Sequence, residues 1–237
     1  MNMVQLFRRI RYSKGFGVHS PFAFNLITQV IGEKECAYYS YDEIALLLQK
    51  LKYNPETVAL KKPALSKKKG ELLFRLANEF QFKSILQIGA AQSIPALYLT
   101  AYSKNSNCLI VEQNKKEAVL AKNVLKYASV NNIQLRENAY VEFLSNGHFP
   151  SLNEIDCFYF YLSDQVNIQE ELLQTCLASA KEESVVMIDN IQTNKAMRRL
   201  WNQMVEQPTV TVSMDLYDIG LLFLNKKYYK RHYPLFY

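Results

Sequence analysis

The sequence predicts an α/β fold: a doubly wound, mostly parallel seven-stranded sheet with a C-terminal antiparallel hairpin strand and an N-terminal helical extension. Three observations predict it. Apolar residues before position 80 recur at helical spacing. After position 83, short apolar runs alternate with helical segments, which is typical of a parallel sheet covered on both faces. The last two apolar runs are joined by four residues, which is the spacing of a hairpin.

The first 80 residues carry the helical pattern. Ser20 followed by Pro21 predicts a helix start, and Ser66 predicts another helix that runs to about Phe80. Residues 54–69 contain two prolines and five lysines without periodicity, which indicates an exposed loop. We therefore expect residues 1–80 to form a helical extension or cap and residues 81–237 to form the main domain. The apolar stripes are Phe22, Leu26, Ile27 and Val30 in one helix and Ile44, Leu47, Leu48 and Leu51 in another.

The main domain is predicted as alternating strands and helices. Because each of its first strands is separated from the next by a crossover, we expect parallel pairing and a ligand at the carboxyl ends of the strands. The predicted strands are 84–88, 108–112, 133–136, 156–161 and 184–188, then the hairpin strands 209–214 and 219–224. The predicted helices are 93–102, 114–128, 168–180 and 193–205.

Composition bounds the class of protein. With 237 residues, of which 49% are hydrophobic, the chain is neither disordered nor a disulfide-built miniprotein. No apolar stretch approaches the roughly 20 residues that span a bilayer, so we expect no membrane association and a cytoplasmic location. The four cysteines lack the spacing of a zinc site, and three of them lie in apolar runs and are expected to be buried.

Two features of the main domain favour a nucleotide-like ligand. The bend after the first strand reads Gln87, Ile88, Gly89, Ala90, Ala91, Gln92 and Ser93, and glycine permits a tight turn and close backbone approach. Glu112 ends the second strand, 23 positions after Gly89, and a carboxylate can accept hydrogen bonds from a vicinal diol. An ordinary strand-to-helix turn and a carboxylate that caps the next helix are the alternatives.

Residues 84–225 resemble the class I, seven-stranded, Rossmann-like S-adenosylmethionine (SAM)-dependent methyltransferases, nearest in pattern to the catechol O-methyltransferase type. Residues 15–24 also resemble a signature that precedes the catalytic domain in bacterial methyltransferase-like proteins. The resemblance implies a methyltransferase with SAM as cofactor and a small-molecule acceptor. It also implies that the cofactor-binding residues are Gln87, Gly89, Ala90, Ala91, Glu112, Asn138 and Tyr161. In that reading Glu112 binds the ribose, and Asn138, which precedes Ala139, reaches the adenine.

The chain departs from the family pattern at four places: Gln87, Ala91 and Ser93 in the first motif, where the last two replace glycines, and Tyr161 at the end of the fourth strand. Gln87 replaces a carboxylate, and Ala91 adds a methyl group where the ligand would touch backbone; a positive φ there would cost about 1 kcal/mol or more. Metal-dependent relatives end the fourth strand with aspartate, where this chain has Tyr161, with Asp164 three residues later. Asp189 and Asn190 match the second metal element, but we favour a cap and turn and expect no Mg²⁺. No catalytic residue is assigned, because methyl transfer depends chiefly on positioning.

Two other functions compete with an enzyme. A catalytically inactive binding or scaffold protein of the same fold would explain the departures at the ligand edge. A nucleic-acid binder would use the basic first third, since the net charge of +6 lies within residues 1–80, which hold 13 basic and 7 acidic side chains; we rank it last because the sequence has no nucleic-acid-binding motif. The aromatic and basic tail 228–237 is predicted to pack back on the sheet. The oligomeric state is not predicted.

Overall fold

The computed structural model describes residues 3–33, 35–57, 63–138, 140, 142, 152–161 and 166–237, the last range without the side chains of 166–169. The chain divides into two compact units, residues 35–148 and residues 1–34 together with 149–237. The helices are α1 (Met3–Ser13), α2 (Pro21–Asn25), α3 (Tyr39–Leu51), α4 (Lys67–Phe80), α5 (Ile94–Thr100), α6 (Lys115–Ala128), α7 (Val166–Ser179) and α8 (Lys195–Glu206). The strands are β1 (Ser84–Ile88), β2 (Asn107–Glu112), β3 (Ile133–Glu137), β4 (Cys157–Tyr161), β5 (Val185–Asp189), β6 (Val212–Asp215), β7 (Gly220–Phe223) and β8 (Arg231–Pro234).

The unit of residues 35–148 contains three parallel strands in the order β3-β2-β1 and the helices α3 to α6. The first residues of α4 and α6 are capped by the side chains of Ser66 and Asn114, which accept backbone N–H bonds. α4 packs closely on α5 because it carries Gly70 at the contact: a Cβ atom there would lie 2.3 Å from the Tyr98 ring. This packing fixes α5, the helix that follows the bend after β1.

The unit that holds both termini contains five strands in the order β4-β5-β7-β6-β8. β4 and β5 are parallel, whereas β7 is antiparallel to β5 and to β6, as the predicted hairpin requires. Gly220 begins β7 against the buried ring of Trp201, and a Cβ atom at that position would lie 2.2 Å from the ring. The hairpin therefore lies directly under α8, with no room for a side chain between them.

The predicted strand number is wrong, because the described residues contain eight strands rather than seven. The tail packs back on the sheet as predicted, but it also forms β8, which pairs in parallel with β6. A strand of sequence Arg-His-Tyr-Pro has no apolar run, and it is tolerated because it pairs on one side only. Edge strands of this composition escape a search for buried apolar runs.

The rest of the predicted architecture agrees with the structure. The fold class, a mostly parallel α/β sheet that ends in an antiparallel hairpin, is confirmed, and the predicted strand and helix ends differ from the observed ones by a few residues at most. The caps at Ser20 and Ser66 are confirmed, and three of the four cysteines are buried free thiols.

Helix α1 was not predicted. None of the described helices is both long and apolar enough to cross a membrane. The boundary at residue 80 stays a prediction.

β8 carries a histidine whose titration affects stability. His232 Nδ1 lies 2.8 Å from Ser213 Oγ, and burial lowers the pKa of His232; the Asp215 charge opposes this, and the Arg198 charge reinforces it. In the unfolded chain the group titrates near its ordinary pKa of about 6.5. The stabilising contribution of neutral His232 is therefore present above about pH 6.5 and is lost as the pH falls through the lowered pKa.

We expect the wild-type protein to lose more free energy of unfolding than His232→Asn between pH 7 and pH 5. Asparagine keeps a polar group near Ser213 but does not titrate, so contributions from all other groups cancel in the comparison. Urea denaturation at the two pH values measures the difference. An equal loss in both proteins would contradict the lowered pKa.

Candidate functional site

The bend after β1 has an unusual backbone conformation. Gly89 has φ +88°, and Ala90 is right-handed helical before three consecutive non-glycine residues with positive φ: Ala91 at 42°, Gln92 at 59° and Ser93 at 61°. Left-handed conformations cost about 1–2 kcal/mol for each such residue. The φ of Ala91 is positive, so the backbone strain that the sequence predicted for this condition is present. Backbone strain of this kind persists only where surrounding contacts impose it, and it occurs often at ligand sites.

The Gln87 side chain forms two hydrogen bonds with this bend. Its side chain is fully buried, and its Nε2 group donates hydrogen bonds to the Gly89 carbonyl over 2.8 Å and to the Ala90 carbonyl over 2.9 Å. A carboxylate has no proton to donate at neutral pH, so the amide is the side chain that suits two carbonyl oxygens. The departure from the family pattern at this position thus has a structural reason, which the sequence analysis missed.

The other end of the same amide is unsatisfied. Gln87 Oε1 is buried and has no hydrogen-bond partner among the described residues. The reverse amide orientation would place Oε1 against the two carbonyl oxygens of the bend, so the acceptor remains unpaired in either case. An unpaired buried acceptor costs about 1–3 kcal/mol, and a donor supplied by a ligand would recover that free energy.

Glu112 faces the bend. Its Oε2 accepts the Ala90 N–H over 2.7 Å and its Oε1 accepts the Asn114 N–H over 2.7 Å, while the residue is only 6% exposed. The Gly89 N–H also donates to the Val111 carbonyl over 2.9 Å, which ties the bend to the end of β2. A right-handed residue followed by a left-handed one turns successive N–H groups to one side and favours an anion there. The carboxylate can accept about four hydrogen bonds, so these two N–H donors leave room for others.

Two residues that follow β3, Asn138 and Tyr140, also contact Glu112. The Asn138 N–H donates to the Glu112 carbonyl over 3.1 Å, and Asn138 is half-buried; Ala139 lies outside the described residues. The Tyr140 hydroxyl donates to Glu112 Oε1 over 3.5 Å, and burial together with the Glu112 charge raises the pKa of Tyr140. Tyr140 was not among the residues predicted from the sequence, although an aromatic residue two positions after Asn138 was a visible signal. Six of the seven predicted site residues thus belong to one unit.

Tyr161, the seventh, belongs to the other unit. It is the half-buried last residue of β4, and its Cα atom pairs with that of Asp189. Its predicted contact with the cofactor stays a prediction, and Asp164 lies outside the described residues.

Asp189 and Asn190 have a local structural explanation. Asp189 is fully buried, and it accepts the Tyr159 hydroxyl over 2.6 Å and the Asn190 N–H over 2.7 Å. Burial and the Asp189 charge raise the pKa of Tyr159 well above its ordinary value. Asn190 is left-handed with φ 61°, as in a turn, and the cap of α8 is Asn194 instead. Over the described part of the chain, no three His, Cys, Asp or Glu side chains are grouped so that they could hold a metal ion.

The fold is shared with solved methyltransferase structures. No protein-family model matches the sequence, and a search of curated proteins finds no match.

The chain is similar to an O-methyltransferase from Bacillus cereus in complex with SAH (S-adenosylhomocysteine), at 17% identity and a TM-score of 0.60 over 83% of this chain and 96% of that one. It is also similar to the O-methyltransferase TomG from Streptomyces achromogenes in complex with SAM, at 19% identity and a TM-score of 0.58 over 80% and 91%. The SAH-bound methyltransferase PaMTH1 from Podospora anserina matches at 12% identity and a TM-score of 0.61 over 89% and 98%. These likenesses confirm the predicted resemblance at the level of the fold.

Proposed function

We propose that this protein is a methyltransferase that uses SAM and transfers its methyl group to a small-molecule acceptor. One observation carries the proposal: the buried Glu112 carboxylate faces the Gly89 bend and, after accepting the Ala90 N–H, the Asn114 N–H and the Tyr140 hydroxyl, can accept about one further hydrogen bond. Ribose hydroxyls are the donors that such a carboxylate accepts in nucleotide sites. Similarity to structures that contain SAM or SAH supports the same cofactor.

The residues around the bend fit the parts of this cofactor. Glu112 would accept a ribose hydroxyl, and the unpaired Gln87 Oε1 would accept an N–H of the methionine ammonium group. The Asn138 side-chain carbonyl would accept the adenine amine. When bound, the cofactor supplies an electrophilic methyl group on a sulfonium. What this chain contributes is orientation and exclusion of water, which suffices for much of the rate of such a transfer.

The environment of the enzyme is part of the proposal. The four cysteines of the described chain are free thiols, which suits a reducing compartment, so we propose a cytoplasmic location. We propose no metal, because the residues that would hold one in related enzymes are here Tyr161 and Asp189, and each oxygen of Asp189 already accepts a hydrogen bond from the protein.

We expect SAH to raise the melting temperature of the full chain by about 5–10 °C at a concentration of about 100 times Kd. A ligand selective for the native state adds about 2.7 kcal/mol at that ratio, and 1 kcal/mol raises Tm by about 2–4 °C at this chain length. Thermal unfolding with and without SAH measures the shift, and adenosine and methionine added separately are the controls. Absence of a shift at millimolar SAH, with no heat of binding in calorimetry, would reject the enzyme in favour of an inactive binding protein of the same fold.

A further inference from the structure

A polar pocket lies in the unit that holds both termini. It has a volume of about 450 Å³, within the range of small-molecule sites. β5, β6 and β8 run in the same direction, because β7 is antiparallel to β5 and β6, and β8 is parallel to β6. The pocket lies where β6 and β8 end, and the carboxyl edge of the strands is where open α/β sheets bind ligands. The lining residues that matter are Arg8, Arg9, Arg198, Asp215, Tyr217 and His232.

A buried ion-pair network forms the floor of the pocket. Asp215 is fully buried, with its Oδ1 3.0 Å from Arg9 Nη2 and its Oδ2 2.7 Å from Arg198 Nη1. Oδ1 also accepts the Tyr217 N–H over 2.9 Å. The other terminal nitrogen of Arg9, Nη1, donates hydrogen bonds to the carbonyls of Asp215 and Leu235 over 3.0 and 2.7 Å. Asp215 Oδ1 and both terminal nitrogens of Arg9 are therefore committed to protein groups, whereas Asp215 Oδ2 and Arg198 Nη1 form an ion pair by distance but have no hydrogen-bond partner of suitable geometry among the described residues.

The charges that line the pocket do not balance. Three guanidinium groups stand against a single carboxylate, which leaves two positive charges in excess. Burial lowers the pKa of His232, which keeps the imidazole neutral at neutral pH, so it does not alter this balance. Excess positive charge in a concave, partly desolvated surface attracts anions more strongly than the same charge on an open face.

Two of the guanidinium groups retain free donors. Arg8 is exposed and stacks over the Tyr12 ring at 5.4 Å, and Arg198, about one-third exposed, contacts Asp215 through one terminal nitrogen. An arginine has five N–H donors. The contacts that Arg8 and Arg198 make with the described residues use few of them, so several donors remain for a ligand. Tyr217 is half exposed at the rim, and its ring offers a flat face with the Arg9 guanidinium 5.8 Å from its centroid.

We infer that this pocket binds a small molecule that carries a phosphate group and a ring. A phosphate dianion matches the two excess charges, and guanidinium forks bind phosphate through paired hydrogen bonds. A lone phosphate would fill only part of 450 Å³, and the Tyr217 ring supplies a stacking surface for the remainder. The inference is independent of the proposed function, since none of the residues that line this pocket belongs to the group around Gly89.

Titration calorimetry on the full chain tests the inference with phenyl phosphate, inorganic phosphate and benzyl alcohol as probes at constant ionic strength. We expect phenyl phosphate to bind more tightly than inorganic phosphate, and benzyl alcohol not to bind. Arg8→Gln should weaken phenyl phosphate binding about tenfold or more, because it removes charge-assisted hydrogen bonds. Arg11→Gln, which removes the same charge from the exposed surface of the same helix, should leave the affinity unchanged.

A second pair of variants guards against general charge effects. Arg198→Gln should weaken binding, whereas Arg199→Gln, its exposed neighbour on α8 outside the pocket, should not. Failure of both phosphate probes to bind at millimolar concentration would overturn the inference, as would equal weakening by Arg8→Gln and Arg11→Gln. Equal affinity for phenyl phosphate and inorganic phosphate would reduce the site to one for free phosphate. Tight binding of a single-stranded oligonucleotide with a steep salt dependence would overturn the inference, because the ligand of the pocket would then be nucleic acid and not a small molecule.

Discussion

Asp215→Asn is expected to lower the free energy of unfolding by about 3–5 kcal/mol, the cost of breaking a buried ion pair by removing one partner. The carboxylate is fully buried between two guanidinium groups, and the Arg9 side chain is only 8% exposed. Without the negative charge, Arg9 keeps a buried positive charge that no other described carboxylate neutralises. The substitution also weakens the bond between Oδ1 and the Tyr217 N–H. Urea denaturation at pH 7 measures the loss.

Glu206→Gln is the matched control, because it changes the net charge by the same amount on the exposed last residue of α8. We expect that variant to remain within about 0.5 kcal/mol of the wild type. In Arg9→Met combined with Asp215→Asn, the loss should be smaller than the sum of the two single losses, since the uncompensated charge is gone. A loss in Asp215→Asn no larger than that of Glu206→Gln would contradict the network.

This network marks the limit of what the sequence could predict. Arg9 and Asp215 are 206 positions apart, and neither lies in a motif. The arginines of α1 were interpreted only as local basic charge, because the pattern of the sequence does not show which strand end a helix packs against. Strand β8 was missed for a related reason: an edge strand needs backbone partners rather than an apolar run. Buried strands and capped helices were predictable because burial and capping leave a local signature.

The candidate cofactor site was predictable in position but not in detail. Glu112 ends a buried strand at the carboxyl edge, so the chain topology alone brings it near Gly89. The double hydrogen bond from the Gln87 amide was not predictable, because it depends on where two carbonyl groups of a strained bend point. The substitution of glutamine for a carboxylate therefore looked like a loss of function in the sequence, whereas in the structure it stabilises the bend.

Glu112→Gln is expected to affect stability and cofactor affinity together. An amide keeps one acceptor oxygen, so either the Ala90 N–H or the Asn114 N–H loses its partner and meets an NH₂ group instead. We expect the free energy of unfolding to fall by about 1–3 kcal/mol. If Glu112 also binds the ribose, SAH affinity should fall about tenfold to a hundredfold, the value of one hydrogen bond to a charged group. Calorimetry well below the melting temperature of the variant separates the two effects.

Glu137→Gln supplies the comparison for this variant. Glu137 is the register partner of Glu112 on β3, but it is exposed and paired with Lys122 over 3.2 Å at the surface. Because surface ion pairs contribute about 0–1 kcal/mol, this variant should be nearly as stable as the wild type and should bind SAH equally well. A Glu112→Gln protein that is destabilised yet binds SAH with wild-type affinity would show that the carboxylate only supports the bend. The ribose contact would then have to be assigned to another residue.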